Sequence, residues 1–474
     1  MVELREPLDD LIRQPRTYTS HLRFPDPASI VLYDDTLRDG EQMPGVAFSP
    51  AQKLDLAVQL ADIGIDVMDV AFPITSASDR EALRLILEAQ RDGRLRRDVD
   101  LLAMCRAVPG DIDCVLDVVA EAGRRPADVS VLILSTTSDL HLKYKLGRAL
   151  LKREGGDDAA WLETPIAFYR EANIRLITEA IAYARSRGLE RIEFAAEDAS
   201  RSDLDYAVEW AEACIAAGGT RFCFSDTCGV FTPEGVDHYF PRLVERLGVR
   251  RGKVQLTAHF HNDFGLGAYN TVRAVLHGAT HPSLTANGIG ERAGNTSLHQ
   301  FVMVLKELYG VTLPRFRYER LHALRDAVER ASGVPVQVQE PIIGEGVFAH
   351  ESGIHTAAIL VHPAIYQFIR EDTVGGTTRF VFGKHSGTAA VQAVLDRHAA
   401  TLAAQGVTVD DGLVAAVLDR VKALRSERIA TRHHVRAIDE FYRRYEDLGI
   451  GEVALVELAL ATAANRADPP RPPA

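Results

Sequence analysis

The sequence predicts an α/β protein built on a (β/α)8 (TIM) barrel, with smaller α+β and helical C-terminal subdomains behind it. Three observations carry this. Short apolar or β-branched runs alternate with longer one-sided helical patterns. Eight such pairs fill residues 28–314, close to the roughly 250 residues typical of this barrel. Polar residues collect where the runs end, as they do on the catalytic face of a barrel. A doubly wound sheet is the alternative, because it too places its site at strand ends.

The strand-like runs are 30–37, 66–72, 100–106, 129–136, 191–197, 221–227, 254–261 and 283–289. Between them, 49–64, 78–89, 111–122, 166–187 and 203–217 carry apolar residues three and four apart, and Ser49-Pro50 reads as an N-cap followed by proline at the first helical position. Strand one runs into Arg38-Asp39, strand five into Glu197-Asp198 and strand six into Asp226-Thr227. Strand seven ends in His259-Phe260-His261, and strand eight leads to Asn287, Glu291 and Asn295.

Residues 1–27 form an N-terminal extension, and the barrel rhythm stops after Leu313-Pro314. Residues 315–400, rich in glycine and containing the strand-like Arg379-Phe380-Val381-Phe382, read as a linker subdomain. Residues 401–463 read as helical: Leu413, Val417, Val421 and Leu424 share one face, and a second run covers 434–445. Residues 464–474, with Pro469-Pro470-Arg471-Pro472-Pro473, read as a disordered tail.

Composition narrows the function. Of 474 residues, 54 are Lys or Arg and 66 are Asp or Glu, a net charge of −12 without any basic block, which argues against nucleic acid as a partner. No stretch suits a membrane span, and the polar, acidic N-terminus is unlike a signal peptide, so a cytoplasmic location is expected. The five cysteines include no C-x-x-C pair and read as reduced core thiols.

Residues two apart on a strand point to one side, so His259 and His261 present two imidazoles to a common point. A hydrogen-bonded pair of core histidines is the bland alternative. In a closed barrel strand one adjoins strand eight, one strand away from strand seven, so Asp39 completes a donor set suited to Zn²⁺, Mn²⁺, Co²⁺ or Fe²⁺, with Mg²⁺ open. Arg38 reads either as a strand-end salt bridge or as a guanidinium that stabilises a developing enolate or carbonyl oxygen. Glu197-Asp198 also reads as a capping cluster, and His141, Lys143 and Lys145 as a solvated face or as local positive charge for an anionic ligand.

Asp35-Thr36-Leu37-Arg38-Asp39-Gly40-Glu41-Gln42, His259-Phe260-His261-Asn262-Asp263 and Asn287-Gly288-Ile289-Gly290-Glu291-Arg292-Ala293-Gly294-Asn295 together resemble the acyl-CoA condensing family that includes isopropylmalate, homocitrate and citramalate synthases. The likeness extends through 344–355 and Phe382-Gly383-Lys384-His385-Ser386-Gly387, covering roughly residues 28–400. It implies a divalent metal (Zn, Mn, Mg or Co) on Asp39, His259 and His261, with Asn295 nearby, an α-keto acid that chelates it, and acetyl-CoA as co-substrate. It further implies His355 as general base or proton shuttle, Glu197 as the carboxylate that orients it, and Arg38 as enolate stabiliser. Gln42, Phe72, Thr227 and His141 are the implied substrate contacts, and the segment holding His355 is expected to reach a partner's barrel in a homodimer.

Phe72 stands where relatives acting on 2-oxoglutarate commonly carry a histidine. An aromatic ring cannot pair a carboxylate, which argues against that substrate. Arg201-Ser202-Asp203-Leu204 and Ala357-Ala358-Ile359-Leu360 look closer to homocitrate synthases, and a keto acid bearing a phosphonate also fits. The stretch 373–378 lacks the tyrosine many relatives carry, leaving Tyr366 as a loose candidate, and leucine feedback through a further C-terminal domain is not expected. The expected setting is amino-acid or secondary-metabolite biosynthesis. The alternative is a C–C lyase of the 3-hydroxy-3-methylglutaryl-CoA lyase or aldolase type, which shares the Arg-Asp-Gly turn and the His-x-His strand but lacks the His355 region.

Overall fold

The structure, a computed structural model, describes residues 7–429 together with Leu455 and Leu458. The expected helical run 434–445 and the terminal stretch 464–474 lie outside the described residues.

Eight parallel strands close into a barrel in chain order: β1 (Tyr33–Asp34), β2 (Val67–Ala71), β3 (Asp100–Arg106), β4 (Ser130–Thr136), β5 (Arg191–Glu197), β6 (Arg221–Asp226), β7 (Gln255–Phe260) and β8 (His281–Leu284). Tyr33 sits opposite both Val67 and Ser283, so β1 bonds β2 on one side and β8 on the other. That closure excludes the doubly wound sheet.

Helices cover the outside, and their ends follow local chemistry. Helix Pro50–Ile63 begins with a capping box: Ser49 Oγ accepts from Gln52 N–H, and Gln52 Oε1 accepts from Ser49 N–H at 2.8 Å. It stops at Gly64, whose φ of 116° is left-handed and whose absent side chain leaves room for Arg315 O, 2.6 Å from where a Cβ would lie.

Two strands are shorter than the apolar runs suggest. In β1, the Leu32 N–H donates to the Asp66 side chain, and past Asp34 the chain turns because that carboxylate accepts from Thr36 N–H. Beyond β8, Ala286–Gly288 is a 3-10 turn with Asn287 in the left-handed region at φ 57°, a conformation asparagine tolerates. Inside the barrel, Tyr33, Val67, Leu102, Met104, Leu132, Ala195 and Cys223 pack into one apolar layer. All five cysteines are free thiols; Cys105, Cys114, Cys214 and Cys223 are buried and Cys228 is half-buried.

After the barrel, helix Leu321–Ser332 packs on helix Pro50–Ile63. β9 (Ala349–His350) and β10 (Arg379–Phe380) form a short parallel pair. These elements cluster with the barrel; among the described residues, Phe382–Ile429, with 44–47 and 351–353, forms a second compact unit. Its small core is Val391, Val414 and Leu418, with Val417 packed against them. The inward face of helix Asp411–Ile429 therefore runs through 414 and 418, and Leu424, expected on that face, is exposed. No helix among the described residues is long and apolar enough to cross a membrane.

Candidate active site

Asp39, His259 and His261 meet at the C-terminal end of the barrel, with one ligand atom from each within 4.8 Å of the others. Strand alternation turns both imidazoles inward, and their Nε2 atoms lie 3.3 Å apart. His259 Nε2 is 3.6 Å from Asp39 Oδ2. On its far side His259 Nδ1 lies 3.1 Å from Asp35 Oδ2 and 2.9 Å from Ser283 Oγ, so Nδ1–H donates to the carboxylate and the ring is held with Nε2 facing the site.

Asn295 Nδ2 donates to Asp39 Oδ2 at 2.5 Å, and Asn295 Oδ1 is buried with no partner. A Cβ at Gly290 would fall 2.2 Å from that oxygen, so glycine there keeps the place open. Two facing imidazole nitrogens, a carboxylate and an orphaned amide oxygen in one buried spot are a nitrogen and oxygen donor set that a divalent cation fits.

Arg38 is held in a fork of three carboxylates: Nε to Asp69 Oδ2 at 2.6 Å, one Nη to Asp39 Oδ1 at 2.9 Å and the other to Asp35 Oδ1 at 3.3 Å. The strand-end salt bridge and the catalytic placement are thus both true of it. Burial pushes the Asp39 carboxyl upward, but Arg38, the two imidazoles and Asn295 outweigh it and bring it down to about 2. Burial, then His259, lowers His261 to about 4. Asp39 is therefore a carboxylate and His261 neutral, while for His259 burial is outweighed by the Asp35 hydrogen bond and the Asp39 charge, which raise its imidazole above the ordinary value; metal binding there competes with a proton.

A cavity of about 420 Å³ opens over the triad, with Arg38, Gln42, Glu197, Thr227, Lys145 and Arg292 on its walls and Met104, Leu132, Leu134, Ala195 and Cys223 below. Glu197, at the end of β5, is ion-paired with Lys145, and His141 Nδ1 stands 3.6 Å from it. Lys145 therefore lines the cavity wall while its side chain stays about half exposed to solvent. Thr227 Oγ1 accepts from Asp198 N–H at 2.8 Å and keeps its hydroxyl hydrogen to donate. Phe72 is half-buried and packs against the apolar layer beneath the cavity without lining it. His355 lies apart from the cavity: it is exposed, its ring 4.1 Å from that of Tyr366.

Sequence reasoning passed over Asp35, Asp69 and Ser283, which hold Arg38 and His259 in place. Asp35 was readable in principle, since it lies two residues from Tyr33 within the strand-like run 30–37, at whose period of two it faces the same interior. It also overlooked Arg292, whose guanidinium is held by both oxygens of Asp263 and reaches Thr227 O, because nothing local distinguishes it from a solvated loop arginine.

The HMGL-like family matches residues 29–152 and 159–328, and the homocitrate synthase post-HMGL domain-like family matches residues 342–429. The (R)-citramalate synthase of Methanocaldococcus jannaschii is 35% identical over 391 residues, 82% of this chain and 70% of the relative. The 2-isopropylmalate synthase of the same organism is 33% identical over 422 residues, 89% of this chain and 72% of the relative. The homocitrate synthase of Methanopyrus kandleri is 35% identical over 403 residues, 85% of this chain and 89% of the relative.

Proposed function

The chain belongs to the HMGL-like family, and from that premise we propose that it is an acyltransferase that condenses acetyl-CoA with an α-keto acid, giving CoA and a 2-hydroxy dicarboxylic acid or its phosphonate analogue. The observation that carries the reading is the buried Asp39, His259 and His261 set beneath a cavity that also presents Arg38. The homocitrate synthase post-HMGL domain favours condensation over C–C cleavage.

A divalent metal on Asp39, His259 and His261, with Asn295 beside it, would supply Lewis-acid polarisation of the keto group. Asp35 and Ser283 fix the His259 ring, and Asp69 and Asp35 fix Arg38. Arg38 faces the cavity as a preorganised cation for the enolate oxygen formed when the acetyl methyl group loses its proton. Thr227, with its free donor, and Gln42 are assigned to the keto acid, with His141 behind Glu197 and Phe72 beneath the side-chain end. The methyl carbon then bonds the keto carbon, the keto oxygen takes a proton, and water splits the thioester.

His355 is assigned the methyl proton, with Glu197 as its orienting carboxylate. Within one chain His355 stands outside the cavity and Glu197 holds Lys145, so the assignment calls for a homodimer in which His355 of the partner subunit enters. The test is release of CoA thiol from acetyl-CoA after chelation and re-addition of single divalent ions. It is run across pyruvate, 2-oxoisovalerate, 2-oxoglutarate, oxaloacetate and phosphonopyruvate. Release that needs one keto acid and a metal is expected; silence across the panel with metal bound would return the weight to the lyase.

A further inference from the structure

One lysine ammonium is buried beside the site without entering it. Lys53, in the first turn of helix Pro50–Ile63, is 1% exposed, and its Nζ lies 2.6 Å from Glu41 Oε2 and 2.6 Å from Asp79 Oδ1. Taking an ammonium out of water costs several kcal/mol unless opposite charge and hydrogen bonds meet it in good geometry. Here both carboxylates reach it, and each uses its second oxygen on a backbone amide. Glu41 Oε1 accepts from Phe48 N–H at 2.7 Å, and Asp79 Oδ2 accepts from Phe72 N–H at 2.8 Å.

The two amides belong to two different loops of the catalytic face. Glu41 lies two residues after Asp39 in the 3-10 turn Gly40–Gln42, the turn that presents Arg38 and Asp39. Phe72 opens the loop after β2. A single cation thus ties the turn bearing the metal-ligand carboxylate to the turn bearing the aromatic ring assigned to the keto acid, and none of Lys53, Glu41 or Asp79 lines the cavity. Lys53 and Asp79 lie in the first turns of neighbouring helices, Pro50–Ile63 and Ala77–Arg91, and the network they form with Glu41 runs on to two loop amides.

We propose that Lys53 is a positioning residue that sets the spacing between the Asp39 turn and the Phe72 turn. The proposal rests on the condensing site described above. Metal-free full-length protein is titrated calorimetrically with Mn²⁺ as the probe, for the wild type, Lys53→Met, Glu41→Gln and Asp79→Asn. Peptide-level amide exchange around Phe48 and Phe72 is followed in parallel. Losing a group that supports a metal ligand from behind typically costs about 10–100-fold in affinity, and that loss is expected for Lys53→Met, with faster exchange at both amides and a raised KM for the keto acid. The KM for acetyl-CoA should stay within about twofold, because no acetyl-CoA contact is moved.

Each carboxamide variant keeps one acceptor oxygen and puts a donor NH2 in place of the other. It thereby cuts one of the two links its carboxylate makes, to Lys53 or to the loop amide, while the other carboxylate stays intact, and the pair divides the effect. Glu41→Gln is expected to weaken Mn²⁺ with little change in keto-acid KM, and Asp79→Asn to do the reverse. A folded Lys53→Met protein with wild-type Mn²⁺ affinity and wild-type exchange overturns the proposal. If Lys53→Met does not fold, equal losses of both properties in the two carboxamide variants, or no change in either, overturn it. If the wild type turns over no keto acid, the functional reading fails on its own, while Mn²⁺ affinity and amide exchange still decide the role of Lys53.

Discussion

The two mouths of the barrel are both charged and both hollow, yet only one is built to do chemistry. At the N-terminal mouth a cavity of about 520 Å³ is ringed by arginines and aspartates, larger than the 420 Å³ at the catalytic end. There the charges answer one another. Arg221 Nε meets Glu193 Oε2 at 2.6 Å, Arg191 Nε meets Asp100 Oδ1 at 3.0 Å, and Arg315 meets Asp66 Oδ1 at 2.5 Å. At the C-terminal mouth ligand atoms converge instead: two imidazole Nε2 atoms 3.3 Å apart, the Asp39 carboxylate and the unpaired oxygen of Asn295. Cavity size and charge density do not mark a site; donor atoms of several side chains converging on one buried spot do.

The sharpest break of this comparison is Asp39→Ala, which removes an anchor of the converging set. Metal affinity should fall by at least about 100-fold and condensation should drop to background, while circular dichroism stays that of the wild type. Metal analysis beside thiol release checks both. His355→Ala separates the proton step from the metal: bound metal is retained and condensation falls by about 10²–10⁴-fold. Loss of metal in that variant would contradict the assignment.

The opposite mouth should behave in the opposite way. Arg221→Met leaves Glu193 buried without its cation, so denaturant unfolding should show a loss of about 3–5 kcal/mol with kcat of the folded fraction within about threefold. A large kcat effect would mean that the two mouths are coupled through the barrel.

The seam where β1 meets β8 carries a pH dependence of its own. Burial outweighs the two hydrogen bonds from Thr36 and raises the Asp34 carboxyl from 3.8 to about 7. Between these values the folded chain keeps a proton that the unfolded chain has released, so the contribution to stability falls as pH rises from about 4 to 7 and is flat above. Asp34→Asn should remove that decline, up to about 4 kcal/mol by linkage, read as the wild-type-minus-variant difference in unfolding free energy at pH 4.5 and 7.5. The smallest effect concerns the metal itself. Re-adding the native ion at about 100 times its Kd should stabilise the chelated protein by about 2.7 kcal/mol, and an ion that binds outside the triad would still stabilise Asp39→Ala.

Much of this was legible in the chain. Eight runs of period-two or continuous apolar residues specify strands because each must bury its faces between helices, and the His-x-His spacing specifies two side chains on one side of a strand whatever the rest of the chain does. The motifs around Arg38, His259 and Asn295 placed the donor set, and the described geometry unites those residues with the ends of β1, β7 and β8. The helix 411–429 was legible as a helix, but its buried face was misjudged by one position, because a period of 3.6 leaves neighbouring stripes nearly equivalent until a partner surface chooses between them.

What only the tertiary structure decided is which charged groups are partners. Arg38 with Asp69, His259 with Asp35, Glu197 with Lys145, and Lys53 with Glu41 and Asp79 join residues as far as 224 positions apart in the chain. No local pattern encodes such a pairing, since each side chain alone is also a plausible solvated surface group. Burial makes the difference: once the barrel closes, an unpaired charge is too costly to keep, and the pairs that remain hold the ligand atoms of Asp39, His259 and His261 within 4.8 Å of one another.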